Sequence, residues 1–393
     1  MADLSTTAPL SRASVQAAHA VVAPHVHRTP VVTSKTLSAL ASTPRGVEAG
    51  QQQQQQQQPA RPTLRLWFKC ENQQRVGAFK ARGAFHAVAR LMQEDGWAEA
   101  GGRERGVATH SSGNHAQALA LAARENGIPA HIIMPSISAP AKIAATRGYG
   151  ARVVFSGSTA AEREAVAAEV VAATGARLVP PYDHPDIILG QGTMGLELQE
   201  QVAAMMAGPD APYKNNGGSS SSGSSSSTKK TTKGLDAIIT PCGGGGMLSG
   251  VALSCEGTGI RVFGAEPSYQ GADDAKRGFE SGARVAAVSS LTVADGLRTP
   301  LGAHPWHVIH TRRLVAGMYS VTEAEILAAM RLVFERMKMV VEPSACVPLA
   351  VALYDEDFRR MVEREAGEDG WDLGIVLSGG NVGADALGGL FAA

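Results

Sequence analysis

One lysine stands where covalent chemistry is expected. Lys80 lies in Glu71-Asn72-Gln73-Gln74-Arg75-Val76-Gly77-Ala78-Phe79-Lys80-Ala81-Arg82-Gly83-Ala84, and Ala81, Ala84, Phe85, Val88, Leu91 and Met92 then recur at helical spacing. The spacing places Lys80 where a loop becomes the N-terminus of an amphipathic helix. At the positive end of a helix and beside the aromatic Phe79 an ammonium group is disfavoured, and the neutral amine is the form that condenses with an aldehyde. Taken alone, a lysine at a helix start is more often a solvated surface group.

Three further stretches bear on the choice. In Ser111-Ser112-Gly113-Asn114-His115, two hydroxyls, an amide and free backbone N–H groups precede a helix, which makes either a carboxylate cradle or an ordinary N-cap by Ser112 or Asn114. In Pro241-Cys242-Gly243-Gly244-Gly245-Gly246-Met247, four glycines between a strand and a helix let the backbone approach a phosphate. In Ser378-Gly379-Gly380-Asn381, the Ser378 hydroxyl can reach a ring nitrogen or cap a turn. A dinucleotide site is the competing reading, since Glu266 ends the next strand about twenty residues after the glycines. The Gly-x-Gly-x-x-Gly pattern fails, because Leu248 or Ser249 falls where its last glycine belongs.

The elements that must position these residues alternate along the chain. Strands are expected over 64–68, 106–110, 130–134, 152–155, 177–179, 235–240, 261–265 and 374–377, and helices over 12–23, 115–126, 139–149, 160–174, 247–254, 322–339 and 344–365. This alternation predicts a doubly wound α/β protein in two lobes with parallel sheets, whose ligands bind outside the carboxyl ends of strands. Two low-complexity insertions interrupt it, the glutamine run 51–58 and the Gly/Ser-rich stretch 215–233, and neither is expected to touch the core. Nothing is read after the last strand.

Composition narrows the function classes. The chain has 393 residues, 44% of them hydrophobic, and 36 basic against 36 acidic residues give a formal net charge of zero. That balance predicts no nucleic-acid or acidic-membrane partner, and leaves a small molecule. Cys70, Cys242, Cys255 and Cys346 lie too far apart for a Cys-x-x-Cys zinc site or a disulfide framework. With no leader-like or membrane-spanning run, the expected compartment is the cytoplasm.

Together the four stretches resemble the fold-type II pyridoxal-phosphate enzymes, of the serine racemase and serine/threonine dehydratase family. Glu335-Arg336-Met337-Lys338 and Glu342-Pro343-Ser344 are similar to the same family. The resemblance implies that Lys80 carries pyridoxal 5'-phosphate as a Schiff base with Phe79 beside its ring. It implies that Gly243, Gly244, Gly245, Gly246 and Met247 hold the phosphate, that Asn114 meets the ring hydroxyl and that Ser378 meets the pyridine nitrogen. The resemblance also implies that Ser112 is the second base, because the racemase reads Ser-Ser-Gly-Asn-His where dehydratases usually read Ser-Ala-Gly-Asn-His. Substrate contacts are implied for Ser111, Ser112, Asn114, His115, Arg163 and Thr299. Glu266, Ala272 and Asp274 resemble a Mg²⁺ or Ca²⁺ site, with a spacing two residues longer than in the family.

The expected architecture is then a large cofactor domain from 1–75 and 185–393, a small substrate domain over 76–184, and a homodimer. The expected reaction is racemisation of serine with accompanying β-elimination to pyruvate and ammonia. Its alternative is a threonine/serine ammonia-lyase with little racemase activity. Val76 and Ala78 stand where the family often has Thr and Ser, and no effector-binding regulatory domain is expected.

Overall fold

A computed structural model describes residues 4–45, 58–111, 113–138, 140–213 and 234–392. Ten strands follow in chain order: β1 (Val31–Thr33), β2 (Leu64–Cys70), β3 (Val107–His110), β4 (Ala130–Pro135), β5 (Arg152–Ser156), β6 (Arg177–Leu178), β7 (Ala237–Pro241), β8 (Arg261–Pro267), β9 (Gly317–Val321) and β10 (Trp371–Leu377). They build two sheets. The larger has the order β1-β2-β10-β7-β8-β9, and the smaller β5-β4-β3-β6. Among the described strands only β1 pairs antiparallel, at the edge of the larger sheet. The α/β alternation was legible because strands covered by helices on both faces are continuous apolar runs, and β4 and β10 are buried at every position.

Parallel pairing brings the carboxyl ends of strands to one edge. In the larger sheet Leu377 pairs with Cys70 and Pro241 with Ala265, so the chain leaves β2, β10, β7 and β8 side by side. Those exits lead to Lys80, Ser378, the glycine run and the Glu266 segment.

Some elements differ from expectation. The helix expected over 344–365 is two, Pro343–Tyr354 and Glu356–Ala366, because Asp355 turns extended and its carboxylate accepts the Phe358 N–H at 2.8 Å as a cap. The helix expected over 322–339 ends at Leu332 and continues as a π turn over Val333–Met337. A final helix, Ala384–Ala392, follows the last strand and packs Leu387, Leu390 and Phe391 on the core, where the sequence reading had nothing. Its paired glycines weaken the helical signal.

Nearly all of both insertions, as 51–57 and 215–233, lies outside the described residues, but their flanks are described. The buried Arg359 donates to the Thr43 carbonyl at 2.7 Å and the Ala60 carbonyl at 3.2 Å, so one guanidinium holds both sides of 46–57. Before the second insertion, Tyr213 donates to the Leu66 carbonyl at 2.8 Å; after it, the Asp236 N–H reaches the Asp372 carbonyl at 3.0 Å. Both segments therefore re-enter at the amino-terminal edge of the larger sheet, away from the strand exits. Deleting 46–57 or 214–233 is expected to leave turnover unchanged and to alter stability by about 1 kcal/mol or less, since loop closure depends only logarithmically on length. Thermal unfolding and turnover of the two deletions check this, and a large loss of either would place the deleted stretch against the core or the site.

Candidate active site

The loop carrying Lys80 is stitched to the loop after β10. Phe79 N–H donates to the Ser378 carbonyl at 3.0 Å, Gly380 N–H to the Gly77 carbonyl at 2.9 Å, and Asn381 Nδ2 to the Val76 carbonyl at 2.7 Å. This stitching needs a sharp local bend. Gly77 sits at φ +66°, and Val76 before it at φ 56°, a left-handed conformation that a β-branched residue adopts only under strain.

At the start of the helix Lys80–Met92, the Lys80 Nζ donates to the Pro181 carbonyl at 2.7 Å and stands 5.1 Å from the centre of the Phe79 ring. Burial brings its pKa down to about 8, against the opposing pull of the Glu342 carboxylate. The direction matches the sequence expectation, but desolvation by the surrounding loops is its main cause.

Asn114 opens the helix Asn114–Glu125 and faces this lysine loop. Its Nδ2 donates to both Glu342 oxygens, at 3.0 and 3.2 Å, and its Oδ1 accepts from Asn381 Nδ2 at 2.8 Å. Glu342 had entered the sequence reading only as part of a family-like tripeptide. The structure makes it a buried acid whose pKa burial pushes up to about 7, with Asp295 adding to the effect. His115 is buried, its Nε2 3.2 Å from the Val179 carbonyl. Its pKa falls to about 3, through burial first and the Lys80 charge second. Ser111 turns inward: its N–H donates to the Ile133 carbonyl at 3.1 Å and its Oγ accepts from Gly113 N–H at 3.4 Å. Ser112 lies outside the described residues.

The glycine loop packs on Tyr182, the residue after the Pro181 to which Lys80 is bonded. Gly245 has φ +83°, and a Cβ added to Gly244 would lie 2.3 Å from the Tyr182 ring. A Cβ on Gly243 would lie 2.9 Å from Leu297 Cα and 3.3 Å from Thr299 Oγ1, which sets Thr299 beside the loop. Glycine is thus required by packing as well as by any ligand. Among the described residues no acceptor takes up the N–H groups of Gly243, Gly244, Gly245 or Gly246, which lead into the helix Gly246–Cys255 with the buried Met247 at its first turn. Such a set of free donors at a helix start suits a phosphate. Ser378 is buried nearby, and among the described residues no hydrogen bond engages its hydroxyl. Tyr182 was not singled out from sequence, although the rule that ligand contacts follow parallel strands pointed to its loop after β6.

Two further expectations meet protein partners of their own. Arg163, on the helix Ala160–Thr174, donates to the Ser158 carbonyl at 3.1 Å, and its charge is felt by His110 at the end of β3. Glu266 differs from a free metal ligand, because its carboxylate caps the helix Asp274–Ser281, accepting from Ala275 N–H at 3.2 Å and Lys276 N–H at 2.7 Å. Asp274 accepts the Leu301 N–H at 2.9 Å through one oxygen, while its buried Oδ1 has no partner among the described residues. Ala272 is buried, its N–H bonded to the Tyr269 carbonyl at 3.2 Å. Among the described residues no three His, Cys, Asp or Glu side chains gather as a metal group. The same residues also form no membrane-crossing helix.

An amine poised to be neutral, together with N–H groups that have no acceptor among the described residues at a nearby helix start, can hold an aldehyde that carries a phosphate. The chain's relatives agree with that chemistry. Residues 22–379 match the family model of the pyridoxal-phosphate dependent enzymes. The chain is 37% identical to a serine racemase of Arabidopsis thaliana, over 95% of this chain and 94% of that one. It is 37% identical to an L-threo-3-hydroxyaspartate ammonia-lyase of Saccharomyces cerevisiae, over 91% and 89%. The solved structure of maize serine racemase superposes with a TM-score of 0.76 at 36% identity, covering 96% of each chain. With the family matched across most of the sequence and the fold shared along nearly all of it, this protein belongs to the pyridoxal-phosphate dependent enzymes, in their fold-type II branch.

Proposed function

We propose that this enzyme racemises serine and also eliminates water from it, giving pyruvate and ammonia. The observation that carries the proposal is the Ser111-Ser112-Gly113-Asn114 loop, which is joined through Asn114 and Asn381 to the loop holding Lys80. Pyridoxal phosphate, when bound, supplies an aldehyde for the amine and a sink for the electrons left when the α-proton departs. The residues fit it: the Lys80 amine is half neutral near pH 8, the glycine N–H groups lack acceptors, and the Ser378 hydroxyl is open. Lys80 would hold the aldehyde carbon, Gly243 to Gly246 with Met247 the phosphate, Asn114 the ring hydroxyl and Ser378 the ring nitrogen, with Phe79 beside the ring.

Freed when the substrate's amine takes its place on that carbon, Lys80 Nζ would take the α-proton on one face, and Ser112 Oγ would return one on the other. Ser111, His115, Arg163 and Thr299 are proposed to bind the substrate. A neutral Ser378 cannot keep a ring nitrogen protonated as an aspartate would, which favours prompt loss of a β-hydroxyl. The two sheets support a substrate domain over 76–184 and a cofactor domain formed by 1–75 and 185–393.

Similarity to the yeast ammonia-lyase, equal to that with the plant racemase, supports a second reading: an ammonia-lyase of small hydroxy amino acids with little racemase activity. A chiral product assay on L-serine, L-threonine, D-serine and 3-hydroxyaspartate decides between them. D-Serine formed from L-serine supports the first reading, and pyruvate without D-serine the second.

The lowered Lys80 pKa predicts how cofactor capture responds to pH. The amine is protonated and inert below about pH 8 and neutral above it, so the rate at which cofactor-free protein takes up pyridoxal phosphate should rise through about pH 8 and then level. A rise that continues towards pH 10.5, the ordinary lysine value, would mean that the amine is not desolvated.

A divalent cation is proposed at Glu266 and Asp274. Burial and the neighbouring Asp274 push the Glu266 pKa well up, and a hard cation on the unpartnered Asp274 Oδ1 would relieve that repulsion. A chelator should then lower the unfolding temperature and Mg²⁺ or Ca²⁺ restore it, by about 2.7 kcal/mol at a hundred times the dissociation constant. An unfolding temperature unchanged by chelator, with Glu266→Gln matching wild type, removes the cation.

A further inference from the structure

The helix that begins at Lys80 belongs to the smaller lobe by its apolar face, yet its first turn is fastened to the larger lobe. Ala81, Ala84, Phe85, Val88 and Leu91 pack in the core beneath β3 and β4. Arg82, two residues after the lysine and fully buried, reaches the other way. Its Nε and Nη2 donate to Glu71, both at 2.8 Å, and its Nη1 and Nη2 donate to Glu197, both at 2.8 Å. Glu71 follows β2, and Glu197 lies within the long helix Pro185–Ala207.

Lys69 of β2 completes the cluster. Its Nζ donates to Glu197 at 2.6 Å and to the Thr29 carbonyl at 2.8 Å, while the Thr29 hydroxyl donates to Glu71 at 2.6 Å. Two cations and two anions, none more than 1% exposed, balance each other. Gly83, next along, approaches the long helix so closely that a Cβ would lie 2.3 Å from Gln191 Nε2.

A buried ion cluster of this kind is a poor source of net stability, because desolvation offsets most of the attraction and apolar residues of equal volume would serve the fold as well. What a fork bonded to two carboxylates does supply is a single orientation. We infer that the Arg82, Glu71, Glu197 and Lys69 cluster is the positioning device for Lys80. It locks the first turn of the lysine helix to the larger lobe, which keeps Nζ against Pro181, next to the Tyr182 on which the glycine loop packs. Arg82 is thus a positioning residue, and the inference rests on Lys80 being the cofactor lysine.

The test compares two charge-keeping variants of the holoenzyme, R82K and R359K. Arg359 is equally buried in the larger lobe, but among the described residues its hydrogen bonds go to backbone carbonyls, at Ala41, Thr43, Ala60 and Ala352, with the Glu356 carboxylate 3.6 Å from its Nε. Both variants should unfold at lower temperature. R82K alone should lower kcat about a hundredfold, the scale of a small misplacement, with KM within about threefold. It alone should also lose cofactor on dialysis about tenfold faster.

R82K with wild-type kcat and cofactor retention, or R359K matching its losses, overturns the inference. Should R82K not fold, T29V, which removes only the hydroxyl holding Glu71, is read the same way: faster cofactor loss than R359K supports the device, and wild-type retention overturns it. Borohydride reduction of the wild type followed by peptide mapping isolates the underlying reading. Cofactor found on another lysine would refute the role of Lys80 itself, whatever R82K does to retention.

Discussion

Lys80→Ala is expected to give a folded protein that turns over no serine and carries no cofactor link that borohydride can fix. The fold should survive, because among the described residues the side chain makes one hydrogen bond, to the Pro181 carbonyl, worth about 1 kcal/mol, and burial already disfavours its charge. The chemistry should not survive, because the other lysines near the cleft are committed elsewhere. Lys69 is fully buried between Glu197, Gln201 and the Thr29 carbonyl, and Lys142 is paired with Asp295 at 2.6 Å. Mass spectrometry after borohydride treatment is the measurement. A lysine-linked adduct at normal yield in the variant would move the anchor to another residue and end this account of the site.

The second large effect should separate two reactions rather than abolish one. Elimination needs a single base, since Lys80 can take the α-proton before the hydroxyl leaves, whereas racemisation needs a second proton carrier on the far face. Ser112 is the proposed carrier, so Ser112→Ala should cut L-to-D conversion of serine about a hundredfold, a common loss for one placed acid–base group. Pyruvate formation from L-serine should largely persist. Elimination from D-serine should fall with racemisation, because its α-proton points to the Ser112 side. Equal suppression of both L-serine reactions, or a wild type that makes no D-serine, would reduce Ser112 to a helix cap or carboxylate contact and favour the ammonia-lyase reading.

Lys80 and Glu342 together set the expected pH behaviour of the cleft. One has its pKa lowered to about 8 and the other raised to about 7, each chiefly by burial. Two groups of opposite charge type are thereby drawn into the same narrow range, where a small change of solvation alters which of them is charged.

The sequence by itself determined most of the alternation of elements and where chemistry hangs on them, but not β9, the helix Asp274–Ser281 or the final helix. An apolar run ending in Gly, Ser or Asn is a local signal that located Ser111, Asn114, Gly243 to Gly246 and Ser378 after strands, and helical spacing set Lys80 at a helix start, before any pairing was known. The direction of the Lys80 pKa shift was legible for the same reason, from a helix start beside Phe79. Only the tertiary structure decided which loops meet. The order β1-β2-β10-β7-β8-β9 sets Ser378 against Phe79, although Phe79 lies after the second strand and Ser378 after the tenth. It also brings Glu342 to Asn114 across 228 residues, Tyr182 onto Gly244, and Arg82 between Glu71 and Glu197. Glu266 shows the limit most clearly: as a residue type it is a metal ligand or a ribose acid, and the helix whose N–H groups it caps was not read from sequence at all. Periodicity records which face of an element is buried, but the partner that buries it is chosen by the packing of the whole chain, and the charge state of a buried acid or amine follows from that choice.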